Sequence, residues 1–483
     1  MNELLLYDIV RTSAGRSPHR TAVSHRGESR TYAELQALIE HLAGVLSARG
    51  IGHGDRVVWW GDTHLDAGTL YYALATLGAV FVPLNPHFSA EEFRAVADIA
   101  DPSLVVADQT HVGDVTLEAL LAAPSHGLAG RPEVHELDPE VIFFTSGTTG
   151  QPKGCVLSHR SDWLRTQTQA RTSGPMMSMF PQFHWGGWAF CHTAWYHGHE
   201  VALVDGGDTE ALLRTMAERR VSTFYGIPAI WRRILEADRT GYDLGSLREA
   251  NTGTSSTPAQ LLRAIASAFP GTTTTIGYGA TEAGGLCQLP AEDLFTKPGS
   301  VGLPMLGVSI RIEDDELWVR SSQEFLGYFR NPEATEQVFV DGWYRTGDLV
   351  AKDDDGYLWV VGRVKDMIRT GGESVAPAEV DLVIQRHPSV ADAATAGVPD
   401  TDWGELVTAF IVLRPGQTVS LTELRSHCAE VLSAYKHPRR IVVLDAIPRT
   451  GPTGQVQRRQ LVELALTEQG GPVLSQSSTR GDQ

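Results

Sequence analysis

The run FFTSGTTGQPKG, residues 143–154, collects three glycines, four hydroxyl side chains and one lysine behind a short apolar stretch. Glycines let neighbouring backbone N–H groups converge on an anion, Thr145, Ser146, Thr148 and Thr149 add hydroxyl donors, and Lys153 adds a point charge. That combination suits the binding of phosphate. The spacing from Gly147 to Lys153 is Gly-x-x-Gly-x-x-Lys, which differs from the Walker loop and its Gly-Lys-Ser/Thr ending. On composition alone, a flexible surface loop is the competing reading. A second turn, PRTGPTGQVQRR at 448–459, sets two glycines and two prolines among arginines and places the neutral Gln455 at its tip. A basic, flexible turn is suited to meet an anion, and an amide there is unexpected.

Other clusters carry less. CHTAWYHGHE (191–200) offers Cys191, His192, His197, His199 and Glu200 as metal-competent groups, but not at the short paired spacings of structural zinc sites. It is expected to be a helix bearing polar histidines. KDDDGY (352–357) is expected to be a hairpin turn on its Asp-Gly pair rather than a cation site. No Gly-x-Ser-x-Gly elbow points to a serine hydrolase.

The elements that must position these groups alternate. Strand-like runs at 56–60, 79–84, 103–107, 141–147 and 200–204 are separated by helical stretches, a pattern of α/β layers. TYAELQALIEHLAGVLSARG (31–50) has a capping box at Thr31 and Glu34, an apolar stripe and a closing Gly50. Past about residue 350 the texture shifts to short strands around one helix, 377–390, as in a compact α+β unit. The expected division is a large domain over 1–361, a small mobile domain over 362–467 and an unstructured polar tail over 468–483. At 483 residues more than one domain is expected. Apolar residues are 42% and charged residues 20%, a globular balance. The 58 acids against 40 bases oppose general nucleic-acid binding. No run is long enough to span a membrane, the N-terminus lacks a signal-peptide pattern, and four scattered cysteines without a Cys-x-x-Cys pair fit reduced thiols. A cytoplasmic location is expected.

TSGTTGQPKG resembles the phosphate loop of the adenylate-forming (ANL) superfamily, in its acyl-CoA synthetase branch. IGYGATE (276–282), GYFRNPEAT (327–335), YRTGD (344–348), GRVKDMIRTGGESVAPAEVD (362–381) and GVPDTDWGELVTAFIVLRPG (397–416) match further motifs of that family in order. The resemblance covers roughly residues 10–465 and implies an acyl-CoA synthetase-like fold, with a large layered α/β domain and a small mobile α+β domain. It implies nucleotide contacts from Thr145, Ser146, Gly147, Thr148, Thr149, Lys153, Gly253, Thr254, Ser255, Tyr278 (on adenine), Gly279, Thr281 (on the α-phosphate), Asp348 and Arg363 (on ribose). Glu282 would hold Mg2+ when ATP is used, which suits a hard cation. Lys365 would be the hinge, and Gly371 and Gly372 would let a pantetheine arm pass. Lys436 and Arg439 could meet the CoA nucleotide, with a solvated basic face as the alternative. His184, Trp188, Tyr225 and Gly226 would line the acyl pocket, and Gly186, Gly187, Gly226 and Gly253 hint at room for a bulky or cyclic acid, against a reading as packing.

In that family a carboxylate first attacks ATP to give acyl-adenylate and pyrophosphate, and a thiol then attacks the adenylate. The family's usual lysine in the 448–459 turn serves the first step, and Gln455 stands at the matching position here. No shift recovers a lysine, because Lys436 is the last in the chain. The expectation is an enzyme that makes acyl-CoA from acyl-AMP and CoA with adenylation weak or absent, a separate enzyme supplying the adenylate. The alternatives are a full ATP-dependent acyl-CoA synthetase and a catalytically silent nucleotide-binding regulatory protein. Retention of Gly371-Gly372 speaks against the last.

Overall fold

Thr31 begins its helix as its side chain predicts. Its hydroxyl accepts from the Glu34 amide at 3.3 Å, and Glu34 accepts in return from the Thr31 amide at 2.7 Å, closing the capping box on helix Tyr32–Ala48. The apolar stripe of that helix, including Leu35, Ile39 and Leu42, is buried. The computed structural model of the chain describes residues 3–128, 130, 132–145, 152–168, 173–255, 257–450, 454–467 and 474–475. Ser146, Gly147, Thr148 and Thr149 lie outside the described residues.

The chain packs as two units, Met1–Ile310 with Val319–Arg345, and Arg311–Trp318 with Thr346–Gln483. The first unit is mixed α/β. One of its sheets is built on parallel strands Arg56–Trp60, Val80–Leu84, Leu104–Ala107 and Pro139–Thr145. Val80–Leu84 is buried throughout, as a continuous apolar run covered on both faces should be. Strand Lys153–Ser158 then turns back antiparallel to Pro139–Thr145, and the short strand Gly327–Tyr328 closes the edge beside it. A second sheet runs Thr223–Gly226, Glu249–Gly253 and Ile276–Ala280 in parallel, with Gly284–Leu289 returning antiparallel.

The second unit is α+β. Its long hairpin pairs Val390–Asp400 with Gly404–Leu413, and Arg440–Val443 joins parallel to the latter. Helix Pro377–Ile384 contributes Val380, Val383 and Ile384 to an apolar cluster with strand residues Val407, Ala409 and Ile411. KDDDGY is a hairpin turn. It joins strand Trp343–Lys352 to Leu358–Arg363, with Gly356 in the left-handed region at φ 92° and the Asp353 carboxylate accepting from the Tyr357 amide at 2.9 Å. The tail departs from expectation at one point. Leu474–Ser475 pairs with Ile441 and Arg440, because the edge of strand Arg440–Val443 offers open hydrogen-bonding groups.

Candidate functional site

In the first unit the phosphate-loop sequence joins two antiparallel strands, with Thr145 opposite Lys153 in the register. It is a hairpin connection rather than a strand-to-helix turn, so its ends are fixed by sheet pairing and not by a helix. The Thr145 hydroxyl donates to the Lys153 carbonyl at 3.4 Å. The Lys153 ammonium stands 5.1 Å from the centre of the Tyr328 ring. Tyr328 pairs with Cys155 in the neighbouring strand, and its hydroxyl donates to Glu282 Oε1 at 2.9 Å. Burial first, then the Glu282 charge, holds the phenol protonated well above its ordinary range. One ring thereby brings Lys153 and Glu282 to the same place. The sequence signal for Tyr328 is its position inside GYFRNPEAT.

The remaining nucleotide candidates of this unit gather at the carboxyl ends of adjacent parallel strands, where ligands of open α/β sheets bind. Gly253 lies opposite Gly277, so the Gly253-Thr254-Ser255 turn sits beside the strand carrying Tyr278 and Gly279. Thr254 takes φ 64°, uncommon for a β-branched residue, and its hydroxyl donates to the Gly253 carbonyl at 2.6 Å. Thr281 and Glu282 follow in the bend between Ile276–Ala280 and Gly284–Leu289, and the Glu282 carbonyl accepts from the Phe325 amide at 2.7 Å. A lone carboxylate beside a lysine and hydroxyls is the donor set of a magnesium–phosphate site, which relies on phosphate oxygens and water for its other ligands. Among the described residues no group of three His, Cys, Asp or Glu could hold a metal unaided.

Tyr225 and Gly226 end the next strand of the same sheet. Tyr225 packs against Phe180 and Phe190, with ring centres 6.0 and 5.8 Å away. His184 caps helix Trp185–Tyr196 by accepting from the Gly186 amide on Nδ1 at 3.0 Å, which places the proton on Nε2. Enclosure by protein pulls its pKa down to about 4, so the imidazole is neutral at pH 7.

Trp188, expected in the acyl pocket, lies instead in the core. It is fully buried, its ring meets Tyr71 and Phe81 edge-on, and its indole N–H donates to the Gln182 carbonyl at 2.5 Å. The small residues also serve packing rather than room. A Cβ at Gly187 would stand 2.5 Å from the Pro181 carbonyl oxygen, one at Gly226 would stand 2.9 Å from both Phe224 and Trp231, one at Gly186 would press on His184 at 3.1 Å, and one at Gly253 would strike the Tyr225 hydroxyl. Of the metal-competent groups in CHTAWYHGHE, Cys191 and His192 are buried in the helix, whereas Glu200 accepts from Ser24 and Arg219. His192 departs from the expected polar face because the helix is covered on nearly all sides.

In the second unit Asp348 and Arg363 are register partners across the hairpin, joined by a 2.8 Å ion pair in which Asp348 is buried and Arg363 exposed. Lys365 is exposed, yet desolvation by the protein around it, followed by the neighbouring Arg363 charge, lowers its pKa. Gly371 and Gly372 both have positive φ, 57° and 86°, which favours glycine at each. A Cβ on Gly371 would also stand 2.8 Å from the Trp403 ring, whereas Gly372 faces open space. Trp403 is exposed, and the Arg439 guanidinium stacks on its ring at 3.6 Å. Only its exposure marks it, and exposure cannot be read from sequence. Lys436, by contrast, is tied to Glu379 at 2.6 Å; burial draws its pKa down, but that carboxylate outweighs it and raises the value.

The 448–459 turn opens from a bridge between Arg449 and Val456. Gln455 is exposed, and its backbone is bonded to Thr450 through N–H···Oγ1 at 3.0 Å and C=O···H–N at 2.8 Å. Arg449 forms a two-oxygen pair with Asp392 at 2.9 and 3.0 Å. Arg458 pairs with Asp381 at 2.6 Å and donates to the Thr395 carbonyl at 3.0 Å. Arg459 is exposed and reaches its helix neighbour Glu463 at 3.1 Å.

These two units carry the two parts of one known architecture. Residues 10–329 match the AMP-binding enzyme family and residues 379–453 match the AMP-binding enzyme C-terminal domain. The chain belongs to the AMP-binding, adenylate-forming family, in its acyl-CoA ligase branch. It is 34% identical over 476 residues to a feruloyl-CoA synthase of an Amycolatopsis species, covering 92% of this chain and 96% of that one. It is 32% identical to an indoleacetate–CoA ligase of Aromatoleum aromaticum, covering 93% and 96%. Among solved structures, the o-succinylbenzoate CoA synthetase (MenE) of Bacillus subtilis in complex with its acyl-adenylate intermediate superposes with TM-score 0.85 at 26% identity, covering 95% and 98%. ATP-bound MatB of Rhodopseudomonas palustris gives TM-score 0.87 at 28% identity, covering 96% and 99%. Among the described residues no helix is long and apolar enough to cross a membrane.

Proposed function

We propose that this acyl-CoA ligase works chiefly in the thioester-forming direction, converting an acyl-adenylate and CoA to acyl-CoA and AMP, with its own adenylation step slow. One observation carries the reading. The second unit's basic turn carries the uncharged Gln455, exposed, while Arg449 and Arg458 on either side are held by carboxylates. Joining a carboxylate to a triphosphate brings anions together, and a preorganised cation between them acts most strongly as charge moves in the transition state. An amide does not neutralise that charge. Thiol attack on acyl-AMP starts from a mixed anhydride that is already activated, and makes no such demand.

Tyr278, Gly279, Thr281, Gly253, Thr254 and Ser255 would hold the adenylate, with Asp348 and Arg363 on the ribose. The exposed Trp403–Arg439 stack beside Gly371 and Gly372 suits an aromatic, anionic nucleotide such as that of CoA. Lys436, held by Glu379, is a weaker candidate for it. The Phe180–Phe190–Tyr225 ring cluster, with neutral His184 at the start of the helix that carries Phe190, suits a compact aromatic acyl group, in keeping with relatives named for feruloyl, indoleacetate and 2-succinylbenzoate. When bound to Glu282, Mg2+ would supply charge neutralisation for ATP. A separate adenylating enzyme would provide the acyl-AMP. Purified protein given synthetic cinnamoyl-AMP and CoA should form the thioester rapidly, while ATP–pyrophosphate exchange with the free acid should be slow. Rapid exchange would establish a full ATP-dependent ligase, and no thioester at all would leave only nucleotide binding.

A further inference from the structure

Helix His159–Thr168 carries a charge pair that none of the preceding roles uses. Asp162 and Arg165 are 1% and 2% exposed. A guanidinium at that depth costs several kcal/mol unless it is neutralised and its N–H groups are used. Arg165 Nη2 donates to the Thr281 carbonyl at 2.9 Å and to the Gln323 carbonyl at 2.7 Å, and Nε donates again to Gln323 at 3.2 Å. The Gln323 side chain accepts in turn from the Gly285 amide at 3.2 Å. The guanidinium therefore holds one arm of the bend that carries Thr281 and Glu282 directly, and the other through Gln323. Its other face lies 4.9 Å from the ring centre of Trp185, the residue after His184.

Asp162 balances it. One carboxylate oxygen accepts from the Trp185 indole at 3.0 Å and stands 3.9 Å from Arg165, and the other accepts from Tyr71 at 3.2 Å. His192, 3.6 Å from Asp162, is held neutral by burial, and Glu140 is held protonated by burial and then by the Asp162 charge. With both neutral, the cluster contains one anion and one cation. Such a pair is a poor way to stabilise a core, which apolar residues fill as well or better. Its contacts point to the bend and to the start of the helix that His184 caps.

We propose that Arg165 is a positioning residue of the nucleotide site: it fixes the Thr281–Glu282 bend from behind, tying its geometry to the His184–Trp185 segment. The inference rests on Thr281 and Glu282 as nucleotide contacts, and not on which half-reaction prevails. The test is calorimetric titration of AMP into the full-length protein and its Arg165→Met, Arg165→Lys and Thr281→Ala variants at 15 °C, with thermal unfolding measured alongside. Loss of charge-assisted bonds to the bend should weaken AMP binding about tenfold or more in R165M. The lysine variant, able to reach one carbonyl, should recover part of the loss. A purely structural role would lower the unfolding temperature and leave AMP affinity unchanged in folded protein, and that result overturns the proposal. If R165M does not fold, R165K decides: affinity weakened about threefold or more supports the proposal, and wild-type affinity refutes it. Unchanged affinity in T281A would overturn the nucleotide assignment on which it rests.

Discussion

Gln455→Lys is the substitution that separates the two half-reactions. Gln455 is exposed, and the bonds that shape its turn, to Thr450, come from its backbone. The exchange should therefore change stability by no more than about 0.5 kcal/mol. If the missing ammonium limits adenylation, restoring it is worth about 10² to 10³ in rate, or roughly 2.7–4 kcal/mol, the scale of one preorganised electrostatic contact. ATP–pyrophosphate exchange with a cinnamic acid reads that step alone, and thioester formation from cinnamoyl-AMP reads the other. Exchange should rise by that factor while thioester formation stays within about twofold. Gln455→Met, long but uncharged, should leave exchange at its starting level. An equal change in both activities, or no gain with lysine, would refute the assignment of this turn to adenylation.

Asp348→Ala should weaken AMP binding by at least about tenfold, since it removes a buried carboxylate and its ion pair with Arg363; calorimetry reads it. Gly371→Ala forces a Cβ toward the Trp403 ring at positive φ, and should cost about 1–3 kcal/mol in urea unfolding together with slower thioester formation. Tyr328→Phe deletes the donor to Glu282 and should raise the Mg2+ concentration needed for half-maximal ATP binding, with AMP binding measured without metal changing less. His159, His184 and His192 are each pulled by burial to about 4 from 6.5. Because the unfolded chain binds those protons first, their contribution is complete above pH 6.5 and is lost as pH falls toward 4. Urea unfolding across that range should lose stability, by up to about 1.4 kcal/mol per pH unit for each histidine, and His192→Asn should flatten the slope.

Local chemistry was the legible part of the fold. The Thr31–Glu34 box and the Asp-Gly hairpin after Lys352 are short-range devices, and both appear where their residues stand. The motif residues were legible as types at fixed spacings, and pairing across sheets then brought Asp348 to Arg363 and Gly253 to Gly277. Packing was not legible. The resemblance implies Trp188 in the acyl pocket and the four glycines hint at room, but a ring sealed between Tyr71 and Phe81 and Cβ positions blocked by Pro181, Trp231 and Tyr225 are packing facts that residue type does not carry. Tyr328, Trp403 and Arg165 were missed for a related reason. Their partners, Glu282, Arg439 and the carbonyls of Thr281 and Gln323, are distant in the chain, and no local pattern encodes them.

The most direct test compares, in one wild-type preparation at saturating CoA, the rate of acyl-CoA formation from cinnamoyl-AMP with the rate from cinnamic acid, ATP and Mg2+. A deficit confined to adenylation should make the first faster by about two orders of magnitude or more. Equal rates from the two starting points would contradict the account.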